Sequence, residues 1–323
     1  MATVVTAGGG RPSLGAAWIA KLRRRMLLSL AFGLLVVVGL GAYADVRDIA
    51  RVLRGFDWAV LPVVLVLTVF NYVGRFLKWQ YYLGCINSRV RPGASALIFV
   101  SGLSMVMTPG KIGELLKSYL LRQVSGTPMA RSAPIVLAER LTDGVALLLL
   151  GSVGLLMYRR GWEVLALIFA MAIAIVLIVQ SRPLSLALLR TCEQMPILAR
   201  VALHLREAYE SSYRLLRLDA LLTAIGLGLV SWSGECVAFF VILRGLHLEA
   251  GPDGNGLLLI KAAFILASST LVGSASLLPG GLGVADSGIA GLLHLLLGTP
   301  RDVSVAATLL IRFCTLWFGV ASG

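Results

Sequence analysis

Six stretches of this chain, 26–43, 58–83, 134–157, 162–180, 219–243 and 303–323, are apolar over about the 20 residues a helix needs to cross a bilayer. Lipid supplies no partner for backbone N–H and C=O groups, so a spanning segment must satisfy them internally. Runs of this length therefore have to be helices. The charged share is 14% and the hydrophobic share 58%, against about 25% charged residues in soluble domains. The expected fold is an all-α polytopic membrane protein with about six transmembrane helices.

Charge places these spans. The net charge is +13, and the basic residues flank apolar runs, which points to anionic lipid headgroups and to positive-inside topology rather than to nucleic acid. Lys21 and Arg23 to Arg25 precede the first span, so residues 1–25 are expected to be a basic cytoplasmic N-terminus. "AYAD" at 42–45 resembles a signal-peptidase site, but the run before it is longer than a usual signal core, and an uncleaved anchor is expected. Arg75 and Lys78, in "GRFLKWQYYL" at the end of the second span, can snorkel beside an aromatic belt. Six arginines between 182 and 217 mark 181–218 as a cytoplasmic linker. Its leucine spacing fits amphipathic helices either lying on the inner leaflet or packed on the bundle. Arg47, Arg51 and Arg54 fall outside and recur as the polar stripe of a short interfacial helix.

Several chemistries find no support. Cys85, Cys192, Cys236 and Cys314 are scattered singly, and the three histidines are equally dispersed, so neither a metal site nor a disulfide framework is expected. Neither a catalytic triad nor a nucleotide loop is found, and no cofactor or enzymatic role is assigned.

The remaining signal is a repeat. "TPGKIGELLKSYLL" at 108–121 and "LPGGLGVADSGIAGLL" at 278–293 both open with P-G-x-x-G and continue into a helix bearing an early acid, Glu114 or Asp286. Each is followed by an arginine inside an apolar segment, Arg140 and Arg312, at 31 and 33 positions from the proline (140 − 109 and 312 − 279). Three spans separate the two turns, so they enter the membrane from opposite sides. The expected architecture is therefore two inverted repeats, 26–180 and 219–323, each with a re-entrant helical hairpin (94–122 and 257–297). That is a transporter signature.

The residue types fit such a site. Pro109 and Pro279 interrupt the helical ladder, while Gly110, Gly113, Gly280, Gly281 and Gly283 permit unusual backbone and close approach. The helix starting after each turn would aim free N–H groups at a cavity and attract an anionic headgroup, with Lys111, Arg140 and Arg312 adding full charges. Lys117, Glu139 and Asp143 join the candidates through helical neighbours, Glu114–Lys117 and Arg140–Asp143 at i, i+3. Internal salt bridges that fix helix packing are the alternative for this set. Glu235 lies deep in the fifth span with no local counter-charge; it is either paired with a repeat arginine or protonated.

"TPGKIGELLKSYLL", "VLAERLTDGVALLLL" and "LLPGGLGVADSGIAGLL" resemble the signatures of the lysylphosphatidylglycerol synthase transmembrane (flippase-like) family over about residues 25–320. Asp286 stands where the family commonly has Glu. The resemblance implies a lipid translocase in a bacterial inner membrane with its N-terminus cytoplasmic. The substrate implied is an anionic, polyprenyl-phosphate, glycolipid or hopanoid-type lipid, with lipid-synthesis enzymes as partners. The synthase's soluble aminoacyl-transferase domain is not found in these 323 residues, so synthase activity is not implied. The apolar ending "WFGVASG" leaves room for the natural chain to continue. A membrane scaffold for lipid synthesis and a membrane transferase are the alternatives.

Overall fold

A computed structural model of the chain describes residues 44–108, 113–158, 162–182, 202–248 and 254–323, with positions 28, 31–36, 38–39 and 41–42. Every regular element among them is helical. In order these are α1 (Val46–Arg54), α2 (Leu61–Cys85), α3 (Pro92–Ser104), α4 (Leu116–Ser125), α5 (Met129–Tyr158), α6 (Trp162–Gln180), α7 (Ala202–Leu215), α8 (Leu218–Gly245), α9 (Gly254–Ala275), α10 (Val284–Leu297), α11 (Arg301–Arg312) and α12 (Phe318–Ser322). A π-helical turn, Phe313–Trp317, joins the last two into one rod.

The antiparallel pair α2 and α8 forms the axis of the bundle. Helices in lipid associate by close packing rather than by hydrophobic exclusion, and small residues let backbones approach. Gly74 and Gly234 do this here. A Cβ on Gly74 would fall 2.6 Å from the Ser231 Cβ, and one on Gly234 2.8 Å from a Phe70 ring carbon. Asn71 adds an interhelical hydrogen bond, its Nδ2 donating to the Ser231 carbonyl at 3.0 Å.

Two apolar cores sit at opposite ends of this pair. One joins the start of α2 and the end of α8 (Val64, Phe239, Leu243) to α9, α10 and α11 through Ile265, Ile289 and Ile311. The other joins the end of α2 (Trp79, Tyr82, Leu83) to α3, α4 and α5 through Phe99, Leu121 and Ile135. Each hairpin thus packs at its own end, α3–α4 at one and α9–α10 at the other. Outward, α2 shows Val66, Val69, Val73 and Leu77 and α8 shows Leu222 and Val230, the apolar surface that lipid tails cover.

Two differences from the sequence expectation stand out, and one of the two alternatives for the linker is seen. The arms of the second hairpin, Gly254–Ala275 and Pro279–Leu297, are each long and apolar enough to cross a membrane. They count as spans by length, whereas α3 and α4 are shorter. Lys78 does not snorkel: it is 1% exposed and bonded to Asp143. Finally, α7 packs on α5 and α6, where Gln180 donates to the Tyr213 carbonyl at 3.0 Å and Arg182 lies 4.6 Å above the Tyr213 ring. Residues 183–201, the rest of the expected linker, lie outside the described residues.

Candidate functional site

The hairpins meet tip to tip midway along the α2/α8 axis. A single 3-10 turn, Met105–Met107, ends the first arm, and Pro279–Gly281 forms the other tip. A cavity of about 520 Å³ lies beside them, within the usual range for ligand sites. Its polar lining comes from five helices and the π-helical turn: Tyr72 and Arg75 on α2, Arg140 and Asp143 on α5, Trp232 and Glu235 on α8, Thr270 and Ser274 on α9, Arg312 at the end of α11, and Thr315 in the turn. Leucines and glycines supply most of the rest, among them Leu115, Gly280 and Gly281.

The repeat arginines both line this cavity, and each pairs with the acid of its own repeat. Arg140 Nη2 lies 3.2 Å from Glu114 Oε2, and Arg312 Nε lies 2.6 Å from Asp286 Oδ1. The spacing is 26 positions in both cases (140 − 114 and 312 − 286). Glu114 and Asp286 are 2% and 3% exposed, so each carboxylate has its counter-charge where water cannot screen it. Arg312 also donates to the Gly280 carbonyl at 2.7 Å, tying the second tip to α11.

The other charges pair across helices rather than along them. Lys78 Nζ reaches Asp143 Oδ1 at 2.6 Å, and Lys117 Nζ reaches Glu139 Oε2 at 2.5 Å. The expected Glu114–Lys117 neighbour pair is therefore replaced by two cross-helix pairs, while Arg140–Asp143 survives only as a long contact of 3.9 Å. Lys117 and Glu139 do not line the cavity. Lys117 lies over the rings of Trp79 and Phe99, at 4.8 and 5.7 Å, and the pair serves packing between α4 and α5. Gly113, Pro279 and Gly283 likewise shape the tips without facing the cavity.

At each turn one backbone donor is already taken by a side chain. Gly283, at φ +81°, caps α10, and its N–H donates to Asp286 Oδ2 at 2.7 Å. Gly113 N–H donates to Thr108 Oγ1 at 2.8 Å. A short polar side chain within reach of a turn competes well for such donors, and here it wins. Among the described residues, the full positive charges that line the cavity are guanidinium groups, Arg75, Arg140 and Arg312. Pro109, Gly110 and Lys111 lie outside the described residues.

Two cavity groups are uncommitted. Glu235 is 7% exposed, and among the described residues it has no ion pair within 4 Å and no hydrogen bond. Arg75, which sequence reading sent to the membrane surface, lines the cavity and likewise has no such partner among the described residues. Its signal was present in the sequence as a charge ten residues short of the end of α2. Trp232 Nε1, also facing the cavity helix cluster, is buried and makes no hydrogen bond.

Comparisons with known proteins agree on the kind of molecule. Two relatives from Methanothermobacter thermautotrophicus, both described as UPF0104 membrane proteins, are similar over nearly their whole length. One is 23% identical over 91% of this chain and 90% of its own. The other is 25% identical over 90% of this chain and 93% of its own. The family model for the lysylphosphatidylglycerol synthase TM region matches residues 27–323. With the paired hairpins and their acid–arginine ties in view, the chain belongs to the lysylphosphatidylglycerol synthase transmembrane family.

Proposed function

We propose that this protein moves a lipid with an anionic or phosphate-bearing headgroup between the leaflets of the plasma membrane, with its N-terminus on the cytoplasmic side. The observation that carries the reading is the cavity between the hairpin tips, where Arg75, Arg140 and Arg312 converge among apolar walls. Ionisable residues at membrane depth are expensive and mark translocation paths or binding sites. Guanidinium groups match phosphate geometry, and leucine walls suit the first methylenes of the tails. Polyprenyl-phosphate lipids carry this chemistry directly, and glycolipid and hopanoid-type lipids fit only in forms that bear an anionic group. Two hairpins meeting from opposite ends supply the two gates that alternating access needs.

The test is a reconstituted vesicle assay with a leaflet-specific reporter on an anionic lipid. Protein-dependent redistribution is expected, and Arg140→Gln and Arg312→Gln should slow it. Absence of redistribution with every anionic lipid tried would remove the reading.

A further inference from the structure

Among the described residues the charges around the cavity balance one for one. On the cationic side stand Arg75, Lys78, Arg140 and Arg312; on the anionic side stand Glu114, Asp143, Asp286 and Glu235. With Glu235 ionised these eight groups sum to zero charge. An anionic headgroup entering it adds one uncompensated negative charge in a region where an unbalanced charge is costly. One carboxylate has to lose its charge for the loaded site to balance again.

Three of the carboxylates are poor choices. Glu114 is held by Arg140 at 3.2 Å, Asp143 by Lys78 at 2.6 Å and Asp286 by Arg312 at 2.6 Å. Protonating any of them breaks a buried ion pair. Glu235 has no such tie among the described residues, so its protonation breaks nothing.

The cavity surrounds Glu235 with charged and polar groups from four other helices. α2 presents Arg75 and Tyr72; α5 presents Arg140 and Asp143; α11 presents Arg312; α9 presents only the hydroxyls of Thr270 and Ser274. α7 contributes no lining residue. A metal cation is the weaker candidate for the same role, because it needs several oxygen or nitrogen ligands. Among the described residues no group of three His, Cys, Asp or Glu side chains is placed to hold one.

We propose that lipid movement is coupled to a proton through Glu235. As the headgroup enters and engages Arg75, the Glu235 carboxylate takes one proton from the water that reaches the open cavity. The O–H bond formed there is broken again when the cavity opens on the other side, and lipid and proton leave together. The coupled cycle moves no net charge. This inference rests on the translocase reading.

The probe is dioctanoyl phosphatidylglycerol, whose phosphodiester keeps a single charge and does not itself take up protons near neutral pH. Added to the purified full chain in weak buffer with a pH dye, it should draw about one proton per bound lipid. Glu235→Gln should bind the lipid and draw none. In vesicles, unmodified protein should respond to an imposed pH gradient and ignore an imposed potassium diffusion potential. Binding without proton uptake, uptake that persists in Glu235→Gln, or transport driven by the potential alone would overturn the coupling while leaving the translocase reading intact. Neither binding nor transport of any anionic lipid would overturn both.

Discussion

Met107 and Gly280, 173 positions apart (280 − 107), meet where the hairpin tips touch: a Cβ on Gly280 would stand 3.0 Å from the Met107 sulfur. Gly280 has φ +58° and ψ +12°, so the contact is made by backbone in the left-handed region.

That conformation sets the first prediction. Gly280→Ala puts a side chain where the left-handed form costs roughly 1–2 kcal/mol, while the flexible end of Met107 can move aside. The purified variant should unfold at a lower temperature in detergent than the parent. An unchanged melting temperature would mean that the tip is not held in this form.

Arg312 carries two tasks, its pair with Asp286 and its bond to the Gly280 carbonyl. For Arg312 the geometry adds a folding cost: removing one partner of a buried pair costs about 3–5 kcal/mol. Arg312→Gln should therefore destabilise more than the double variant with Asp286→Asn, read by denaturant titration. Strictly additive effects would argue against the pair.

Arg75 makes the opposite case. It lines the cavity without an ion pair among the described residues, so Arg75→Gln should leave the melting temperature nearly unchanged. Transport of an anionic reporter lipid should fall by about tenfold, the equivalent of about 1.4 kcal/mol. A fall in stability matching the fall in transport would reassign Arg75 to the fold.

Topology offers a fourth check. In a background with the native cysteines replaced, single cysteines in the 244–256 loop should react with an impermeant maleimide added outside intact cells. Those in 181–218 should react only after permeabilisation. The reverse pattern would overturn the proposed orientation, and equal labelling from one side would overturn the inversion.

Sequence disclosed the spans because length and hydropathy survive without tertiary context: 162–180 and 219–243 match α6 and α8 within two residues at each end. The motif pair was legible because proline, glycine, acid and arginine keep their order in both segments. Sequence misplaced Lys78 and Arg75 because α2 is apolar nearly all round, and such a helix does not announce which face is inward. It mispaired the acids because spacing reveals only neighbours on one helix. Glu114 finds Arg140 and Asp143 finds Lys78 across the bundle. The capped N-termini were hidden for a similar reason. Asp286 could be read as a charge near a helix start, but not as the acceptor already taken by Gly283.

The shared interval of 26 residues between acid and arginine bears on how this chain can change over generations. Each residue added to a helix turns everything beyond it by about 100°. An insertion within 129–139 would swing Arg140 away from Glu114, and one within 302–311 would do the same to Arg312 and Asp286. The connections between the two halves are thus free to lengthen, yet insertions and deletions in these two stretches should be purged. The interval is a ruler that selection reads twice.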